Sequence, residues 1–113
     1  MIPDQATVSA PSVPHSREAE EGALGSVLIN PDVYVDLAAF LKADDFYIHR
    51  HSWIWQAMVR LVERKIPVDL LTVSEELERF GQLAEIGGPA YLTGLVNQVP
   101  SSYLSLGTAL LDQ

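Results

Sequence analysis

The chain contains no cysteine. Disulfides and zinc–thiolate sites are thereby excluded, and nothing points to an oxidising compartment. Basic residues are scarce: lysine plus arginine total 7 against 15 acidic residues, a formal net charge of -8. Such a surface repels phosphate backbones, which argues against tight non-specific nucleic-acid binding by this chain alone. No apolar run approaches the ~20 residues a membrane helix needs. The N-terminus lacks a basic start followed by an apolar core, so no signal peptide is evident. A soluble, cytoplasmic protein is the expectation. The only lysines are Lys42 and Lys65, and neither follows the glycine-rich turn that a P-loop requires. Nucleotide hydrolysis by that route is not expected. Strand-like alternation, internal repeats and low-complexity tracts are also missing.

What is present is a helical pattern. The 113 residues are 48% hydrophobic and 19% charged, which fits one folded domain able to bury roughly 65% of its unfolded surface. Residues 1–14, with three prolines and little periodicity, read as an N-terminal arm, and order is expected from His15 or Ser16. Ser16 is a plausible N-cap with Glu18, Glu20 and Glu21 in the first turns, and Ala19, Ala23, Leu24, Val27 and Leu28 share a face. Gly22 and Gly25 on that helix point to a close neighbour. Asn30 and Pro31 open a second helix that buries Val33, Leu37, Phe40 and Leu41. Asp44 or Asp45 caps a short turn that drives Phe46 inward.

The strongest helical pattern runs from about His51 to Glu63. Ile54, Ala57, Met58 and Leu61 fall at i, i+3, i+4, i+7, with Trp53 and Val62 widening the stripe. Pro67 ends this helix. Thr72 and Glu75 form a capping box for a helix burying Val73, Leu77 and Phe80 and stopping at Gly81. After a turn at Gly87–Gly88, Pro89 starts a helix carrying Leu92, Leu95 and Val96, and Ser101 or Ser102 caps a last one. The expected fold is all-α, a compact orthogonal bundle of about six short helices over residues 15–113.

Several clusters invite a chemical reading. Asp44, Asp45, His49 and His51 lie within eight positions, as a metal set would. The two histidines are two apart, though, which does not place them on one helix face, so capping carboxylates and boundary histidines explain them better. Glu18, Glu20 and Glu21, and Glu75 with Glu76, sit in first turns, where they complement the helix dipole. The stretch His49–Lys65 interleaves basic and aromatic residues, but the net charge disfavours DNA reading. No residue is assigned a catalytic, cofactor-binding or metal-ligating role. Trp55, with Tyr47 and Tyr91 behind it, is the candidate partner contact, because it points away from the main apolar stripe.

The order of the pieces carries one resemblance. Glu18, Ala19 and Glu20 ahead of Leu24 and Gly25, then Asp45, Phe46 and Tyr47 before His51, then Pro67, Asp69 and Thr72, then Gly87, Gly88, Tyr91 and Leu92 make up an ordered set spanning about Pro14 to Ser102. This set resembles the N-terminal domain of the bacterial replicative DNA helicase, the DnaB family. The resemblance implies a helical collar domain followed by a helical hairpin, a linker and a recombinase-like ATPase motor. The parent protein would be a ring hexamer, its collar a trimer of dimers, that unwinds DNA at the replication fork with ATP and magnesium held by the motor. Primase, and a helicase loader, would dock mainly through the hairpin. The chain is then expected to be a non-catalytic piece truncated before the hairpin and motor, with "YLSLGTALLDQ" departing from the Asn and Tyr-Ala that usually follow. The alternatives are a free-standing helical DNA-binding or regulatory module, and a small metal-dependent enzyme at Asp44–His51.

Overall fold

The computed structural model describes residues 16–98. The expected arm over 1–14 and the helix expected from Ser101 or Ser102 lie outside these residues. Among the described residues there are six α-helices and no strand: α1 (Arg17–Ile29), α2 (Val33–Ala38), α3 (His49–Glu63), α4 (Leu70–Arg79), α5 (Leu83–Ile86) and α6 (Gly88–Asn97). A 3-10 turn at Ala43–Asp45 joins α2 to α3. The all-α expectation holds. The set of helices differs, because α5 was not foreseen. None of these helices is long and apolar enough to cross a membrane.

Helix α3 is the axis of the bundle; α1, α4, α5 and the 3-10 turn all pack on it, while α6 lies against α1 and α4. Its Ile54, Ala57, Met58 and Leu61 meet Leu24 and Val27 of α1, Val73 and Leu77 of α4, and Leu92 and Leu95 of α6 in one buried cluster. Each of the larger apolar side chains contributes about 1.5–3 kcal/mol by leaving water. Helix α1 starts as expected, with the Ser16 hydroxyl accepting from the Ala19 N–H at 3.0 Å. Gly22 and Gly25 are both buried.

Three local expectations are corrected. Helix α2 begins at Val33 and ends at Ala38, so Phe40 falls outside it and is exposed while Leu41 is buried. Helix α3 begins at His49, one half-turn before His51. Helix α4 is capped by Asp69: its carboxylate accepts from the Thr72 N–H at 2.8 Å, and the Thr72 hydroxyl accepts from the Asp69 N–H at 2.9 Å. The box is therefore shifted by three residues from Thr72–Glu75. Aspartate is as good an N-cap as threonine, and starting at Leu70 gives α4 nearly one more turn.

Helices α3 and α4 end in the same way. Past α3, the Lys65 N–H donates to the Val62 carbonyl and the Ile66 N–H to the Leu61 carbonyl. Past α4, Gly81 donates to Glu78 and Gln82 to Leu77. Both patterns are Schellman caps, which need a left-handed residue at the turn. Glycine supplies it at Gly81 with φ 69°, but α3 uses Lys65 at φ 61°. The stop thus precedes Pro67, which was expected to end the helix. A side chain at positive φ costs roughly 1–2 kcal/mol. Lys65→Gly should therefore stabilise the fold by about 1 kcal/mol, and Gly81→Ala should destabilise it by about as much. Urea unfolding of the two variants checks both signs.

Candidate functional site

Two acidic residues sit fully inside the bundle, at 0% exposure for Glu20 and 2% for Glu76. Both stand in clusters expected only to complement helix dipoles. A buried carboxylate is tolerated only when its oxygens are well partnered, and the partners define each site.

Glu20 follows the buried stripe of α1, four residues before Leu24. Its carboxylate accepts from the backbone N–H of Tyr47 at 2.6 Å and of Ile48 at 3.2 Å. These donors lie at the mouth of α3, whose N-cap Ile48 has no capping side chain of its own. A residue of α1 thus closes the start of α3. Glu20 also accepts from His51 Nδ1 at 2.8 Å, and the other ring nitrogen, Nε2, accepts from the Tyr91 hydroxyl of α6. A carboxylate offers no proton, so the imidazole carries its hydrogen on Nδ1. The result is a buried Glu20–His51–Tyr91 line that ties α1, α3 and α6. Arg50 covers the Tyr91 ring at 4.5 Å, and a Cβ on Gly87 would meet the Tyr91 Cβ at 3.0 Å.

Burial is the strongest influence on His51 and lowers its pKa from 6.5; the hydrogen bond and charge of Glu20 oppose it without reversing the direction. The ring is held neutral. Glu20 and His51 are both at 0% exposure. Closed in this way, the pair fixes how the helices that carry its partners sit.

Glu76 is partnered differently. Arg60 Nε of α3 donates at 2.6 Å, Arg64 Nη1 at 2.9 Å and Arg79 Nε at 3.2 Å. Burial raises its pKa, but the hydrogen bonds and charges of Arg79 and Arg60 outweigh this and hold the carboxyl at about 2. Arg60 also lies 3.6 Å above the Phe80 ring. Phe80, expected in the core, is exposed; its face serves the guanidinium instead.

The remaining candidates separate. Asp45 accepts from the Lys42 N–H at 2.8 Å, and His49 packs edge-on to Trp53 with ring centroids 4.4 Å apart. With His51 turned inward, the Asp44–His51 set is not brought together, and among the described residues no three such side chains gather to hold a metal. Tyr47 is 89% exposed, while Tyr91 is half-buried on His51. Trp55 does not point outward. It is 1% exposed and stacks on Tyr34 at 5.0 Å, with Phe46 at 5.7 Å. At 100° per residue, Trp53 and Trp55 lie about 100° on either side of Ile54, so periodicity alone does not choose between them. Tyr34 and Phe46 cover the Trp55 side, and that decides it. A groove of about 480 Å³ opens over Tyr34, Trp55, Val59 and Arg60.

Two pH windows follow. An unfolded histidine titrates near 6.5, above the folded value, so the unfolded chain binds the extra proton first as pH falls. Stability from neutral His51 is complete above about 6.5 and declines below it. The melting temperature should drop between about pH 7 and 5.5, and His51→Gln should flatten that slope while lowering the plateau. Glu76 also has a lowered folded pKa, so its contribution is present above 4.5 and lost as pH falls towards 2. Urea unfolding of Glu76→Gln should show a loss of about 2–3 kcal/mol at neutral pH and little further loss between about pH 4.5 and 2.5.

The family profile described as "DnaB-like helicase N terminal domain" matches residues 12–108. "Replicative DNA helicase DnaB" of Geobacillus stearothermophilus is 44% identical over 89 residues, covering 79% of this chain and 20% of that protein. "Replicative DNA helicase DnaC" of Bacillus subtilis is 40% identical over 89 residues, with the same two coverages. The crystal structure of the N-terminal domain of DnaB helicase from Mycobacterium tuberculosis matches with a TM-score of 0.74 at 37% identity, covering 79% of this chain and 64% of that one. The chain spans about a fifth of the length of these curated helicases. On this match of sequence and fold, the chain belongs to the DnaB-like helicase N-terminal domain family.

Proposed function

We propose that this chain is the assembly and partner-docking domain of a hexameric replicative DNA helicase. The observation that carries this reading is the family match over residues 12–108, together with relatives named replicative DNA helicases that extend far beyond the matched part. In this reading, ATP, magnesium and DNA are engaged by a motor elsewhere in the parent protein. The domain supplies ring contacts in a trimer of dimers, and primase and a loader dock mainly through a following hairpin. The interior supports a non-catalytic role, because its acidic residues are sealed or neutralised: Glu20 by backbone and His51, Glu76 by three arginines.

The rival, a free-standing DNA-binding module, is disfavoured by how the cations are used. Arg17 pairs with Glu21, Arg60, Arg64 and Arg79 converge on Glu76, and Arg50 lies on Tyr91. Those cations stand on a chain of net charge -8, where acidic residues outnumber them. Fluorescence anisotropy with single-stranded and duplex DNA should show no salt-dependent binding by this chain between about 0.05 and 0.2 M salt. The gene downstream of codon 113 should encode a P-loop. Salt-dependent binding with a steep slope, or an immediate stop codon, would overturn the proposal.

A further inference from the structure

The groove between α2 and the second half of α3 is open and largely apolar. Tyr34, Ala38, Trp55 and Val59 give it walls and floor, and Lys42 and Arg60 are the only charged residues lining it. This runs against the chain as a whole, where acidic residues outnumber basic ones by about two to one. Both cations have unused capacity. Arg60 commits Nε to Glu76, while its Nη2 is buried with no hydrogen-bond partner among the described residues. Lys42 makes no ion pair among the described residues. The Arg60 side chain keeps 21% exposure and lines the groove, so its charge is open to an arriving carboxylate there. Glu63 acts electrostatically on Tyr34, so an incoming carboxylate would favour Lys42 and Arg60 over the neighbourhood of that tyrosine.

We propose that this groove binds a short acidic–apolar segment of another protein, its apolar side chains over Tyr34, Ala38 and Val59 and its carboxylate at Lys42 and Arg60. The charge pattern sets the choice of occupant: apolar side chains match the floor, and only an anion matches the rim. Trp55, 1% exposed and stacked on Tyr34, lies just beneath that surface and senses what covers it. The proposal stands apart from the helicase assignment, since it needs only the groove.

The chain supplies its own reporter, because Trp53→Phe leaves Trp55 as the single tryptophan. A random peptide library panned against the 113-residue chain should enrich sequences that set Asp or Glu beside apolar residues. Synthetic versions should shift Trp55 emission in the Trp53→Phe background. Lys42→Glu, an exposed change whose fold is verified by circular dichroism, should weaken them about tenfold or more. Lysine-for-glutamate versions of the same peptides should not bind. Enrichment of basic or uncharged sequences, no enrichment, or binding indifferent to Lys42→Glu would overturn the proposal. So would two results on the chain alone. Trp55 emission that moves on Leu110→Ser with Leu111→Ser would assign the groove to the chain's own C-terminal segment. Emission that changes with protein concentration would assign it to a second copy.

Discussion

A carboxylate buried at Glu20 obliges the bundle to assemble around it. Its oxygens need donors, and the donors come from one stretch 27 to 31 residues further on: the Tyr47 and Ile48 backbone and the His51 ring. None is available until α1 lies across the start of α3. His51 then needs a donor for its second nitrogen, which brings α6 into register through Tyr91. Apolar packing tolerates small slips between helices, because it is non-directional. Hydrogen bonds to a buried charge do not, since each is directional and its loss leaves a desolvated group. The network therefore fixes how α1, α3 and α6 sit, while the leucines and valines around it supply most of the burial.

Glu76 meets the same requirement by other means. Its partners are full positive charges reaching in from the rim, two from α3 and its C-terminal end and one from α4 itself. Arg64 and Arg79 are about half exposed, so their charges are only partly desolvated, which moderates the cost of burying the acid. Glu20, by contrast, is stabilised by dipoles and a neutral imidazole, deeper in the bundle. One clamp holds α1, α3 and α6; the other holds α3 to α4. Helix α3 belongs to both, which is why the longest helix is also the axis.

The helices α1, α4 and α6 were legible where they carry their own punctuation, Ser16 ahead of α1, Gly81 after α4 and Gly87 ahead of α6, whereas α3 and α5 have no capping side chain at their start. The apolar core was legible for the same reason, as Ile54, Met58, Val73 and Leu77 repeat at helical spacing. The buried polar residues were not, since a glutamate in a first turn satisfies the dipole rule whether it faces out or in. The available sign was its phase: Glu20 precedes Leu24 by four and Val27 by seven, and His51 precedes Ile54 by three and Met58 by seven, placing both on buried stripes. Five residues of the family resemblance, Glu20, Tyr47, His51, Gly87 and Tyr91, looked like separate fragments of pattern. In the fold they are one contact network. Nothing local in the sequence joins them, because the joining separations run to 40 residues.

The two clamps also shape the surface. Seven basic residues serve the whole chain, and three of them are drawn to a single internal acid. Arg64 and Arg79 stay about half exposed while they do so, so the acid is held without taking their charges fully out of water. Arg60 is the point where interior and surface meet. It holds Glu76, stacks on Phe80 and lines the groove over Trp55. An occupant of that groove would touch a residue that already holds α3 to α4, so binding there and the stability of the α3–α4 pair are thermodynamically linked through one guanidinium.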